Sequence, residues 1–187
     1  MRSFLFRWGQ VALTRHGFAV PPSPASGRGQ GGNIMNYDLL TKSMQALLEG
    51  IPYPTANLAN AAALIYESVD RLNWAGFYLT HVKAEGEKVL VLGPFQGRPA
   101  CIEIPWGKGV CGTAAALDEP QRVEDVHQFP GHIACDAASA SELVVPLHNA
   151  AGEVIGVLDL DSPETGRFTS EDLAGFEVLA KVVESYI

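Results

Sequence analysis

The stretch LVVPLHNAAGEVIGVLDLDSP, residues 143–163, decides the fold. Two β-rich runs, Leu143–Leu147 and Val154–Leu160, flank a polar turn at Asn149–Gly152. Runs joined by so short a link must pair antiparallel, because parallel pairing needs a crossover of roughly a dozen residues or more. Working outward, Trp74–Thr80 and Lys88–Gly93 read as strands, with Glu85–Gly86 in the turn before the second. Ala100–Ile104 and Gln121–Val123 read as shorter ones. Helical spacing marks residues 36–49, closed by Gly50 and Pro52, and residues 55–70, with Thr55 as N-cap. A last amphipathic helix runs over Ser170–Ile187, with Ser170 as N-cap and Glu171 and Asp172 in its first turn. The glycine-rich GKGVCG, 107–112, leads into a short helix over Thr113–Leu117. Helices, then five or six strands, then a helix make the class α+β, a sheet with helices packed on a face.

Composition narrows the function. With 187 residues, 47% of them hydrophobic, the chain has the material for one ordinary globular core. A net charge of −8 argues against a nucleic-acid partner, which calls for a basic patch. Uncharged apolar runs fall short of the roughly 18 residues that span a bilayer, so no membrane partner is expected. Residues 1–37 carry Arg2, Arg7, Arg15 and Arg28 and no acid, which leaves −12 on the rest. PPSPASGRGQGG, 21–32, has the composition of a flexible segment. The Arg-rich, acid-free start resembles a transit peptide by composition only and lacks a signal-peptide cleavage pattern. We expect Met35 to be the natural start, residues 1–35 to be a disordered extension or mis-assigned start, and the domain to run over 36–187. An odd count of three cysteines does not suit a secreted disulfide framework. A reducing cytoplasm is expected, with any disulfide transient.

Those cysteines, Cys101, Cys111 and Cys135, all fall in one loop-rich stretch. Clustering there points to thiol chemistry rather than to scattered core packing. Cys111 sits inside GKGVCG, near the start of the helix behind it, a position expected to lower a thiol pKa. Lys108 in the same turn suits an anion, but the Walker A spacing is missing. HQFPGHIAC, 127–135, holds His127, His132 and Cys135. Only its H-x4-H spacing fits a zinc knuckle, so no metal is expected; either histidine could depress the pKa of Cys135. Glu142 directly precedes LVVPL, and Asp159 and Asp161 alternate in VLDLDSP, so both aspartates project from one face of a strand. Two carboxylates on one face repel unless they share a cation, a proton or donors; a free amino group would serve as that cation. Trp74 and Trp106 either line a small apolar pocket or belong to the core.

Read together, NWAGFYL (73–79), LVLGPFQGRPACIEIPWGKGVCGTAAA (90–116), VEDVHQFPGHIACDAASASELVVPL (123–147) and GVLDLDSP (156–163) resemble the free methionine-(R)-sulfoxide reductases, built on a GAF domain. The likeness runs from about Met35 to the C-terminus. It implies a GAF-like six-stranded antiparallel sheet with helices packed on it and a pocket covered by loops. It implies free methionine-(R)-sulfoxide as substrate, thioredoxin as reductant, no cofactor and a homodimer. By similarity Cys135 is the nucleophile, Cys101 the main resolving thiol and Cys111 a third thiol in the relay. Glu142, Asp159 and Asp161 would hold the substrate and its sulfoxide oxygen, and Trp74 would pack on its methyl group. The competing readings are a GAF sensor domain that binds a small ligand without catalysis and a thiol peroxidase-like redox sensor.

Overall fold

The computed structural model describes residues 35–133 and 137–187. Cys135 and the extension before Met35 lie outside them. Helices α1 (Tyr37–Leu48) and α2 (Pro54–Ser68) precede strands β1 (Trp74–Val82), β2 (Lys88–Gly97) and β3 (Glu103–Pro105). Helix α3 (Gly109–Leu117), strand β4 (Gln121–Val123) and a single 3-10 turn (Val126–Gln128) form the excursion. Strands β5 (Ser141–His148) and β6 (Val154–Ser162) and helix α4 (Ser170–Glu184) complete the chain. The six strands form one antiparallel sheet in the order β3-β2-β1-β6-β5-β4.

Side-chain alternation along the strands separates two cores. Ala75 and Phe77 of β1, Leu143, Val145 and Leu147 of β5, and Leu158 and Leu160 of β6 face α1, α2 and α4. Met44, Ile65 and Phe176 fill that side from the helices, all fully buried. The alternate residues Trp74, Tyr78, Val144 and Val157 face the other way, against Val110, Cys111 and Ala114 of α3. So, among the described residues, α3 is the helix packed on the second face, and the site lies beneath it. Pro146 is tolerated within β5 because β4 pairs only with Glu142–Val144, which leaves the flank at Pro146 without that neighbour.

Four local readings need correction. Thr55 does not cap α2: Pro54 takes the first helical position, where its missing N–H costs nothing, and Tyr53 is the N-cap. Ser170 is not the cap of α4; Thr169 is. Its hydroxyl accepts from the Asp172 N–H, and the Asp172 carboxylate accepts from the Thr169 N–H, a reciprocal capping box. The Asp172 carboxylate also receives the Tyr37 hydroxyl and faces Arg167 at 3.3 Å, which ties α1 to α4. Burial pushes the Asp172 pKa up, but these donors and the Arg167 charge outweigh it, and the net shift is downward. Helix α3 begins at Gly109, four residues before the expected Thr113, so the glycine-rich turn is itself the first helical turn. Gly112 explains why: an added Cβ would meet the Pro105 carbonyl oxygen at 2.4 Å, so only glycine lets α3 lie this close to β3. The strand expected at Ala100–Ile104 starts only at Glu103, so Cys101 lies in the loop before it.

Candidate active site

Register brings the acidic residues together. Glu142 of β5 is paired with Asp161 of β6, and Asp161 in turn with Trp74 of β1. In the adjacent row Val144, Asp159 and Gly76 align. Like charges directly opposite on neighbouring strands destabilise a sheet, so this placement works against folding. With Cys111, Ser139, His132 and Ile133, the three acids line an open pocket with about 360 Å³ of empty space.

Cys111 descends from the first turn of α3, and its thiol donates to Glu142 Oε1 at 3.6 Å. It is a free thiol, 3% exposed. The expected lowering of its pKa is reversed. Burial pushes the thiol well up, and the charges of Asp159, Glu142 and Asp161 add to it. The field of a helix start is weak against that environment. Burial likewise raises Glu142 well above the usual carboxylate range, helped by the charges of Asp159 and Asp161. Burial lifts Asp159 to about 6, against hydrogen bonds that pull it down. Asp159 Oδ1 has no hydrogen-bond partner, although the residue is only 5% exposed. A pocket that holds acids in this state can store a proton near neutral pH and can also receive a cation.

The other sequence candidates divide. Cys101 is disulfide-bonded, and its carbonyl accepts from the Tyr78 hydroxyl at 3.0 Å. Trp74 stands behind the pocket rather than on its wall. It is 2% exposed and stacked between Tyr78, at 5.8 Å, and Phe95, at 5.3 Å. Gly76 makes that stack fit, because a Cβ there would meet the Phe95 Cβ at 2.4 Å. Its indole Nε1 is buried without a partner. Trp106 lies under Lys88 Nζ, 5.2 Å from its ring centre. His132 reaches the pocket, but burial, and then the charge of His127, lowers its pKa, so it stays neutral at neutral pH and offers no cation to stabilise a thiolate. Among the described residues, the group able to hold a metal is Cys111, Glu142 and Asp159, with donor atoms within 4.8 Å of one another, and not the His127–His132 pair.

Sequence reasoning missed Tyr78 and Ser139. Tyr78 was in view, because it shares a strand face with Trp74 at a spacing of four. Ser139 accepts a hydrogen bond from Asn73 Nδ2 at 3.0 Å and lines the pocket; nothing in its local pattern distinguishes it from the other small residues around it.

A GAF domain model matches residues 44–187. The free methionine-R-sulfoxide reductase of Escherichia coli (strain K12) is 51% identical over 151 residues, covering 81% of this chain and 88% of that one. The chain belongs to the free methionine-R-sulfoxide reductase family. Solved members of the family superpose closely. The fRMsr of Staphylococcus aureus in complex with substrate is 47% identical, with a TM-score of 0.75 over 82% of this chain and 97% of that one. The reductase of Neisseria meningitidis in complex with its substrate is 41% identical, with a TM-score of 0.74 over 80% and 87% of the two chains. The six-stranded GAF sheet expected from the sequence is therefore the fold of this family member.

Proposed function

We propose that the protein is an oxidoreductase that reduces free L-methionine-(R)-sulfoxide to methionine. The observation that carries this reading is the set Glu142, Asp159 and Asp161, the first two buried and all three register-matched around one pocket, in a chain half identical to a named reductase. Glu142 and Asp159 are buried with raised pKa values, which is costly to the fold. An ammonium group would offset that cost. A methionine sulfoxide inside a peptide has no ammonium, so it would leave the acids unpaired, which is the basis for choosing the free amino acid.

In the reaction, the Cys135 thiolate attacks the sulfoxide sulfur. The sulfoxide oxygen accepts a proton, for which Glu142 is the best-placed donor because its pKa is pushed well up. Methionine leaves with its sulfur reduced, and Cys135 is oxidised to a sulfenic acid. The Cys101 thiol condenses with it, releasing water and forming a disulfide. Cys111 serves as the third thiol of the relay. A dithiol protein of the thioredoxin class then reduces the disulfide by exchange and is itself oxidised. Cys101 being held as a disulfide while Cys111 is a free thiol supports this division of roles. The cycle suits a reducing cytoplasm. A homodimer through the early helices completes the reading, and size-exclusion chromatography with light scattering tests it.

NADPH consumption with thioredoxin and its reductase, given each sulfoxide epimer, tests the function. The free R epimer should turn over and the S epimer should not. Ligand binding without NADPH consumption would instead make the protein a GAF sensor.

A further inference from the structure

We propose that Cys111, Glu142 and Asp159 form a binding site for a thiophilic divalent cation of the zinc class on the floor of the pocket. The site deepens the substrate reading above, because an ion there would occupy the carboxylates assigned to the substrate's ammonium group.

Three observations carry it. The first is spacing. Each residue brings one donor atom to within 4.8 Å of the others, and Cys111 Sγ lies 3.6 Å from Glu142 Oε1. Zinc–sulfur and zinc–oxygen bonds of about 2.3 and 2.0 Å at a tetrahedral angle put sulfur and oxygen about 3.5 Å apart. The thiol and the Glu142 oxygen already span the edge of such a tetrahedron. The second is an unused donor. Asp159 Oδ1 is buried without a partner in a residue that is 5% exposed and lines the pocket. A buried oxygen in that state calls for a ligand. The third is rigidity. Glu142 is on β5, Asp159 on β6 and Cys111 in the first turn of α3, all regular elements rather than loops. Sites on such elements are held more precisely than sites on loops and need little further ordering on binding.

The donor set also selects the ion. Calcium and magnesium take oxygen ligands, whereas a thiolate favours zinc, cadmium and cobalt. Three protein ligands leave a fourth position open to the pocket, where water completes the shell. Binding forms the metal–sulfur and metal–oxygen bonds and releases to solvent the thiol proton and any proton held on the Glu142 carboxyl. No electrons move. The consequence is a reductase that zinc inhibits by competing with its substrate.

The test is a cobalt(II) titration of the full chain isolated without reductant, in which Cys101 is bonded and Cys111 is free. We expect one equivalent to bind with a thiolate-to-cobalt charge-transfer band and visible bands of a four-coordinate ion. Zinc should displace it, and excess magnesium should not. Cys111→Ser should lose the charge-transfer band. Asp159→Asn should keep the band but bind zinc at least about tenfold more weakly, measured against a chelating dye with folding checked by circular dichroism. No band in the wild-type protein, a band that survives Cys111→Ser, or displacement by magnesium would overturn the site. Turnover of the free R epimer in chelator-treated buffer tests the substrate reading separately. An inactive enzyme with an intact cobalt band would sink that reading and leave the metal site standing.

Discussion

Asp159→Asn should make the protein more stable at alkaline pH while crippling the site. The folded-state pKa of Asp159 is raised from 3.8 to about 6 by burial. A carboxyl with a raised folded value binds its proton more tightly folded than unfolded. Its proton therefore contributes stability that is full below 3.8 and is lost as pH rises through about 6. At about 1.4 kcal/mol per pH unit, ionising Asp159 costs the fold about 3 kcal/mol by pH 8. Asparagine keeps the shape and never ionises. It can still accept from the Leu160 N–H, but its amide hydrogens face Glu142 and satisfy only part of that surface. A net gain of about 1–3 kcal/mol is expected, or roughly 2–10 °C in Tm for a domain of this size. Differential scanning calorimetry of both proteins between pH 4 and pH 8 reads it. The gain should be absent near pH 4 and should grow through pH 6. A variant that is less stable than wild type at pH 8, or that keeps the wild-type pH slope, would refute the argument that this carboxylate is held against the fold.

Three further outcomes follow from the same structure. Gly76→Ala drives a methyl into Phe95 and the far edge of Trp74, and overpacking of this kind should cost about 1–3 kcal/mol by urea denaturation and raise KM for the sulfoxide. Cys135→Ser should yield no methionine in a single-turnover quench, whereas Cys101→Ser should release about one equivalent and then stall; a full burst from the Cys135 variant would move the nucleophile to another thiol. His148 bridges Asp118, at the end of α3, and Glu184 of α4, at 2.6 and 2.9 Å. Burial lowers its pKa, but both carboxylates outweigh that, and the net shift is upward from 6.5. Its stabilising charge is thus fully present below pH 6.5 and is lost as pH rises through the raised value, so His148→Gln should cost stability near pH 6 and little at pH 9.

The sheet was legible because β5 and β6 alternate so regularly. Leu158 and Leu160 had to face one way and Asp159 and Asp161 the other, whatever else the chain did. The convergence of Glu142 on that pair came only through the family resemblance and not from the residue pattern, because it depends on the register of β5 against β6, and register is set across the sheet rather than along it. Cys111 shows the same limit. Its place near a helix start was readable, but its burial under α3 and the three acids that raise its pKa come from distant strands. Helix α3 itself starts within GKGVCG because tertiary contact with Pro105 outweighs the low helix propensity of glycine. The cap of α4 was misplaced by one residue because Thr169 and Ser170 are both good caps, and only the reciprocal bond to Asp172 separates them.

In the proposed function, carboxylates lining the pocket read the ammonium group of a free amino acid. Initial rates with methionine-(R)-sulfoxide and with its N-acetylated form, in one thioredoxin-coupled assay, test it most directly. We expect turnover of the free compound and a kcat/KM lower by about 10⁴ for the acetylated one, the scale on which a site rejects a ligand that leaves its polar groups unpaired. Equal rates for the two, or no turnover of the free R epimer, would contradict it.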